Sequence, residues 1–117
     1  MKFLLASLFA LVLLGAPRPA LAWEPNDMVR TMVLCSTSAS VMTVLTAAEM
    51  SGEEATTEMR NFITAGVCWL TDGWPVTLLK RLHTTIDYEG DLVEMWSVED
   101  VELPDRVFFI WLISPQA

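Results

Sequence analysis

Few side chains in this chain are of a type that does chemistry, and their spacing decides what they can do. There is one histidine, His83, and there are two cysteines, Cys35 and Cys68. A nucleophilic triad needs a base within hydrogen-bond reach of a Ser or Cys. His83 is the sole imidazole, and no Ser or Cys stands in a recognisable nucleophile turn. A zinc centre needs three or four ligands, and one His, two cysteines and scattered acids do not make a set. Paired carboxylates can do acid–base or glycosidic work, and Glu53-Glu54 and Glu99-Asp100-Glu102 are the candidates. The first pair is explained by a helix start. The second reads as a solvated loop, without the burial that tunes a catalytic carboxyl. There is no glycine-rich phosphate loop. The expectation is a non-enzymatic protein with no metal and no cofactor.

The two cysteines find their use in the compartment. Met1-Lys2 is a short basic start, followed by a 12-residue apolar run from Phe3 to Leu14. That run is too short to span a bilayer comfortably. Gly15-Ala16-Pro17 breaks it, and Ala20-Leu21-Ala22 is a small-x-small cleavage signal. Residues 1–22 therefore read as a secretory signal peptide cut after Ala22, and residues 23–117 as a single small domain in the periplasm or outside the cell. In such a compartment two cysteines are most simply one disulfide, Cys35 to Cys68. Closing that loop is worth about 3.8 kcal/mol in the chain-entropy model, a large share of the stability of a small domain.

Charge narrows the partners. All 15 acids lie beyond Ala22, while Lys2 and Arg18 do not, so the processed chain carries 5 bases (7 minus 2) against 15 acids, a net −10. That charge repels nucleic acid and anionic lipid. It favours solubility and steering toward a basic protein. No apolar stretch after the signal peptide approaches the length of a membrane span, so no membrane insertion is expected once it is removed.

The elements that must position these residues follow from periodicity. Met28–Leu34 is mostly apolar and suggests a short first helix. From Ser38, Val41, Leu45 and Ala48 recur at helical spacing with Met42 alongside, and Ser36-Thr37-Ser38 offers an N-cap. Ser51-Gly52-Glu53-Glu54 is a capping box, so a further helix should run over 52–64. Then the pattern changes. Val67-Cys68-Trp69-Leu70 is β-prone, Asp72-Gly73 suits a tight hairpin, and residues 76–88 alternate as a strand. Leu79 and Lys80 are the misfits in that alternation. Glu89-Gly90 reads as a two-residue turn, which would place Ile86 opposite Val93 and His83 opposite Trp96. Leu92–Val98 and Val107–Ile113 are the last strands, the latter apolar on both faces.

The expected fold is α+β: an N-terminal helical pair on a four-stranded antiparallel sheet, curled toward a barrel and held by one disulfide. Cys68 should face the helices and Trp69 the opposite side. Large apolar side chains fall on both sheet faces, so the second face is either covered or open to a partner. The candidate partner surface is Trp74, His83 and Trp96, with Glu99, Asp100 and Glu102 as the acidic steering loop. The expected function is a binding protein, of an inhibitor or immunity type, for a basic protein target. The competing expectation is an accessory subunit or homodimer built on an apolar sheet face.

Overall fold

The computed structural model describes residues 23–114. The expected signal peptide and its cleavage point lie outside them. The elements run β1 (Met28–Cys35), α1 (Ser38–Ala48), α2 (Gly52–Thr64), β2 (Cys68–Ile86), β3 (Leu92–Asp100) and β4 (Val107–Ser114). Two helices, four antiparallel strands and the Cys35–Cys68 disulfide are as expected. Their order is not. The helices are an excursion between the first two strands, not an N-terminal pair.

The difference arises at Met28–Leu34, expected as helix and found as strand β1. Met, Arg and Leu favour helix, but Val29, Thr31 and Val33 put a β-branched residue at every second position. Pairing along β2, from Met28 opposite Thr77 to Cys35 opposite Cys68, decides the outcome. The two cysteines are thus cross-strand partners, with Cα atoms 4.0 Å apart. Ser36 N and Oγ both donate to the Val67 carbonyl, at 2.9 and 3.1 Å. The disulfide therefore closes the neck of the helical excursion rather than joining a helix to a strand.

Both helices start where the sequence says. Thr37 Oγ1 accepts from Ser40 N at 3.2 Å and caps α1, whose Val41, Val44 and Leu45 are buried. Ser51 Oγ accepts from Glu54 N at 3.0 Å and caps α2. The returning half of the expected capping box is replaced: Ser51 N donates to the Ala47 carbonyl of the preceding helix at 3.1 Å. The helices are so closely joined that α1 itself supplies the acceptor.

Strand β2 is a single 19-residue strand, and Asp72-Gly73 does not turn it back. Leu70 faces Val33 and Trp74 faces Thr31, so residues 71–73 stand against Met32 alone. This is a bulge. Gly73 adopts φ +88°, the positive φ a tight hairpin would also have needed. Thr71 Oγ1 donates to the Thr31 carbonyl and accepts from Gly73 N and Trp74 N at 3.3 and 3.2 Å, which holds the bulge in shape.

The β2–β3 connection takes five residues, 87–91, rather than two. Asp87 N donates to the Asp91 carbonyl at 2.9 Å, and Gly90 sits at φ +88°. The register consequently moves by one: Ile86 faces Leu92, Thr84 faces Glu94 and His83 faces Met95. Register shifts between Leu78 and Lys80 and between Arg81 and His83 account for the broken alternation, and they bring Arg81 opposite Trp96.

Strand β3 is central and buried on both faces. Val93 and Met95 pack toward the helices with Cys35, Val41, Leu45 and Cys68. Trp96 and Val98 pack on the other side with Leu34, Val76, Leu78 and Ile110, and Trp23 lies against this cluster. On β4, Phe109 and Trp111 join the first group and Phe108 and Leu112 the second. The sheet curls around the second cluster until β1 meets β4 at one pair, Cys35 opposite Phe109. The curl and Trp23 cover the second face around Trp96, whereas Trp69, expected on the same side, stays 43% exposed.

Candidate functional site

The β2 bulge shapes an open groove of about 520 Å³, lined by residues 69–75 from Trp69 to Pro75. Trp69 is 43% exposed and Trp74 39%. Cys68 points into the helix-side core and Trp69 to the opposite side, where it meets Phe108 edge-to-face at 5.9 Å between centroids. The backbone of the bulge is held by the Thr71 bonds, and Arg30 Nη1 donates to the Gly73 carbonyl at 2.9 Å. Leu70 and Met32 are exposed at the same level.

The acids expected in a loop run beside this groove, but Glu99 and Asp100 belong to the end of β3 and only Glu102 lies beyond it. Val76 faces Asp100 and Thr77 faces Glu99 across the β2–β3 pair, and Val101 N reaches the carbonyl of Pro75, a groove residue, at 3.5 Å. Trp74, Glu99, Asp100 and Glu102, proposed together from sequence, therefore fall in one region. Their roles differ. Asp100 is buried, and its Oδ1 accepts from Glu102 N at 2.8 Å, so it shapes the turn instead of facing a partner. Glu102 is exposed and Glu99 half-buried.

Trp96 needs correction. It is fully buried and cannot anchor a partner. The register shift between Leu78 and Lys80 turns Arg81, and Trp96 opposite it, onto the side of Val76 and Leu78, where Trp96 packs into their cluster. His83, half-buried opposite Met95, lies farther along β2 and is not part of the groove.

The same register shifts hide a site that sequence reasoning missed. Glu94 is fully buried inside the curled sheet. Its Oε1 accepts from Arg81 Nε at 3.0 Å and from Trp96 Nε1 at 2.8 Å. The Arg81 guanidinium lies 4.7 Å from the Trp96 ring centroid, and its Nη2 donates to the Trp23 carbonyl at 2.6 Å. Glu94 Oε2 is buried with no hydrogen-bond partner among the described residues. Such an orphan costs about 1–3 kcal/mol or more, the upper end applying to charged groups. The available signal in the sequence was a Glu flanked by apolar residues in Leu92–Trp96.

At the other end of the sheet, the carboxylates of Asp87, Glu89 and Asp91 come within 4.8 Å of one another. Asp87 Oδ1 there accepts from Glu89 N and Asp91 N, both at 2.9 Å, which explains this residue as the organiser of the loop. Compared with protein-family models, with curated proteins and with solved structures, the chain finds no match.

Proposed function

We propose that this is a small, non-enzymatic exported protein that binds another protein bearing a basic surface, in the manner of an inhibitor or immunity protein. The observation that supports this reading is the groove: two exposed tryptophans on a rigid bulge, bordered by an acidic loop. Tryptophan is enriched at binding hot spots because it offers a large apolar area with little rotamer entropy to lose. The net charge of −10 over residues 23–117 favours approach of a basic partner. In this reading the chain is cut after Ala22 and works in the periplasm or outside the cell. The sheet acts as a small barrel joined at Cys35 and Phe109, with its inside filled and its outer groove left for contact. The disulfide at the neck of the helical excursion keeps that scaffold rigid.

The test is a pull-down from a periplasmic extract with the disulfide intact. Recovery of a basic protein in stoichiometric amount supports the reading, and recovery of nothing above background refutes it. The second reading, an accessory subunit or homodimer, draws on Leu70, Met32 and Met28, which extend the exposed apolar surface along the β1–β2 pair. Light scattering separates the two: a stable dimer that buries the groove favours the second.

A further inference from the structure

We propose that Glu94 is an internal binding site for a primary ammonium group, and that its occupant is the α-amine of this chain's own Trp23 after cleavage following Ala22. The proposal rests on the reading of residues 1–22 as a removed signal peptide. It starts from an imbalance in the buried cluster. Glu94 presents two carboxylate oxygens to the interior. Oε1 takes two donors, Arg81 Nε and Trp96 Nε1, while Oε2 takes none among the described residues.

Trp23 is tied to this carboxylate through a single side chain. The Arg81 guanidinium donates through Nε to Glu94 and through Nη2 to the Trp23 carbonyl. The Trp23 side chain packs against the cluster that contains Trp96. The segment between is fixed as well: Asn26 N donates to the Leu78 carbonyl at 2.7 Å and Leu78 N to the Asp27 carbonyl at 2.8 Å. These bonds lay residues 23–27 along β2 toward Arg81. The residue that the cleavage signal makes the first of the processed chain is thus the one tied, through Arg81, to the carboxylate that carries the orphaned oxygen.

Processing supplies the missing donor. In the precursor the Trp23 nitrogen is an uncharged amide with one N–H. Hydrolysis of the Ala22–Trp23 bond consumes one water, leaves a carboxylate on Ala22 and, with the proton released, an ammonium on Trp23. That ammonium has a full charge and three donors, the requirement of a buried carboxylate oxygen without a partner. The charged groups tied to Trp23 are Arg81 from β2 and, through it, Glu94 from β3, while Glu24 and Asp27 follow it in its own segment. On β4 the residue opposite Glu94 is the apolar Leu112. Arg81, at 27% side-chain exposure, keeps contact with solvent, so the second cation does not leave two charges sealed in the core.

The test uses the chain from Trp23 onward, released from an N-terminal fusion by a protease that leaves no added residue, so the amine is free whatever the cell does. It is compared with the same chain N-acetylated. Blocking should lower Tm by about 4 °C or more, and the difference should vanish in Glu94→Gln. If Glu94→Gln does not fold, NMR titration of the ¹⁵N-labelled Trp23 amine in the native sequence decides. The amine should titrate above its ordinary range of about 7.7–8.0. Equal melting of free and blocked chains, or an amine in the ordinary range, overturns the site. Mass analysis of the exported protein tests the underlying reading separately: a chain that begins at Trp23 supports it, and a chain that begins elsewhere overturns Trp23 as occupant even where the in vitro pairing is seen.

Discussion

Arg81 joins Glu94, the Trp96 ring and the Trp23 backbone at one point on β2. Removing one partner of a buried charge pair strands the other, and typically costs about 3–5 kcal/mol. Arg81→Met should therefore lower the urea unfolding free energy by roughly that amount, whereas a surface arginine such as Arg60 replaced in the same way should change little. A loss below about 1 kcal/mol, the range of exposed pairs, would show that Glu94 finds its compensation elsewhere. The disulfide gives a second residue-scale expectation. Cys68→Ser should cost about 2–5 kcal/mol, read as a fall in urea midpoint that reductant reproduces in the native sequence. The cysteine pairing was legible from sequence because two cysteines allow only one pairing, and the leader-like start made an oxidised pair the expectation. The Glu94 cluster was not legible, because its burial depends on a register that no local signal fixes.

At the scale of elements, Gly73 carries the bulge. Its φ of +88° is one an L side chain rarely adopts, and forcing such a residue there costs roughly 1–2 kcal/mol. Gly73→Ala should lose about that much stability and, because Trp69 and Trp74 flank the bulge, shift the tryptophan fluorescence. Unchanged stability would mean that the bulge does not need its glycine. Ser51→Ala removes the cap of α2 and should cost about 1 kcal/mol, read by the same denaturation. These sites also show why part of the fold could be read and part could not. Capping and turn residues report local backbone shape, so the start of α1, both ends of α2 and the positive φ at Gly73 follow from local chemistry. Whether positive φ at Asp-Gly makes a hairpin or a bulge depends on what lies across the ladder, here Thr31 and Met32. Likewise Glu89-Gly90 marks a turn correctly, but Asp87 closes it over five residues and so moves every pair along β3. The fate of Met28–Leu34 was settled by the distant partner β2, against the helix propensity of its Met, Arg and Leu.

For the whole molecule, the two hydrophobic clusters on either side of β3 leave Trp69 and Trp74 partly in water at the groove of 69–75, as Tyr88 is at the far turn. Beside it stand Glu99 at the end of β3 and Glu102 just beyond it, and the whole sequence carries a net charge of −8. Recognition that depends on this field should weaken with salt, since at 1 M ionic strength screening acts within about 3 Å. Affinity for the partner should therefore fall as salt rises from 0.05 to 0.5 M, both values being about the span over which exposed charges become screened. Salt-independent binding would assign recognition to the apolar contact alone. Of the surface expected from sequence, Trp74, Glu99 and Glu102 come together because β2 and β3 pair beside the bulge. Trp96 is lost to the interior because the register shift between Leu78 and Lys80 brings it to the side of Val76 and Leu78.

The most direct test is a quantitative pull-down from the export compartment that compares the native chain with the Trp69→Ala/Trp74→Ala variant, both with the disulfide formed and both shown to be folded by circular dichroism. A basic protein recovered with the native chain and lost with the variant is the predicted result. Equal recovery by the two chains would contradict the assignment of the groove as the binding site.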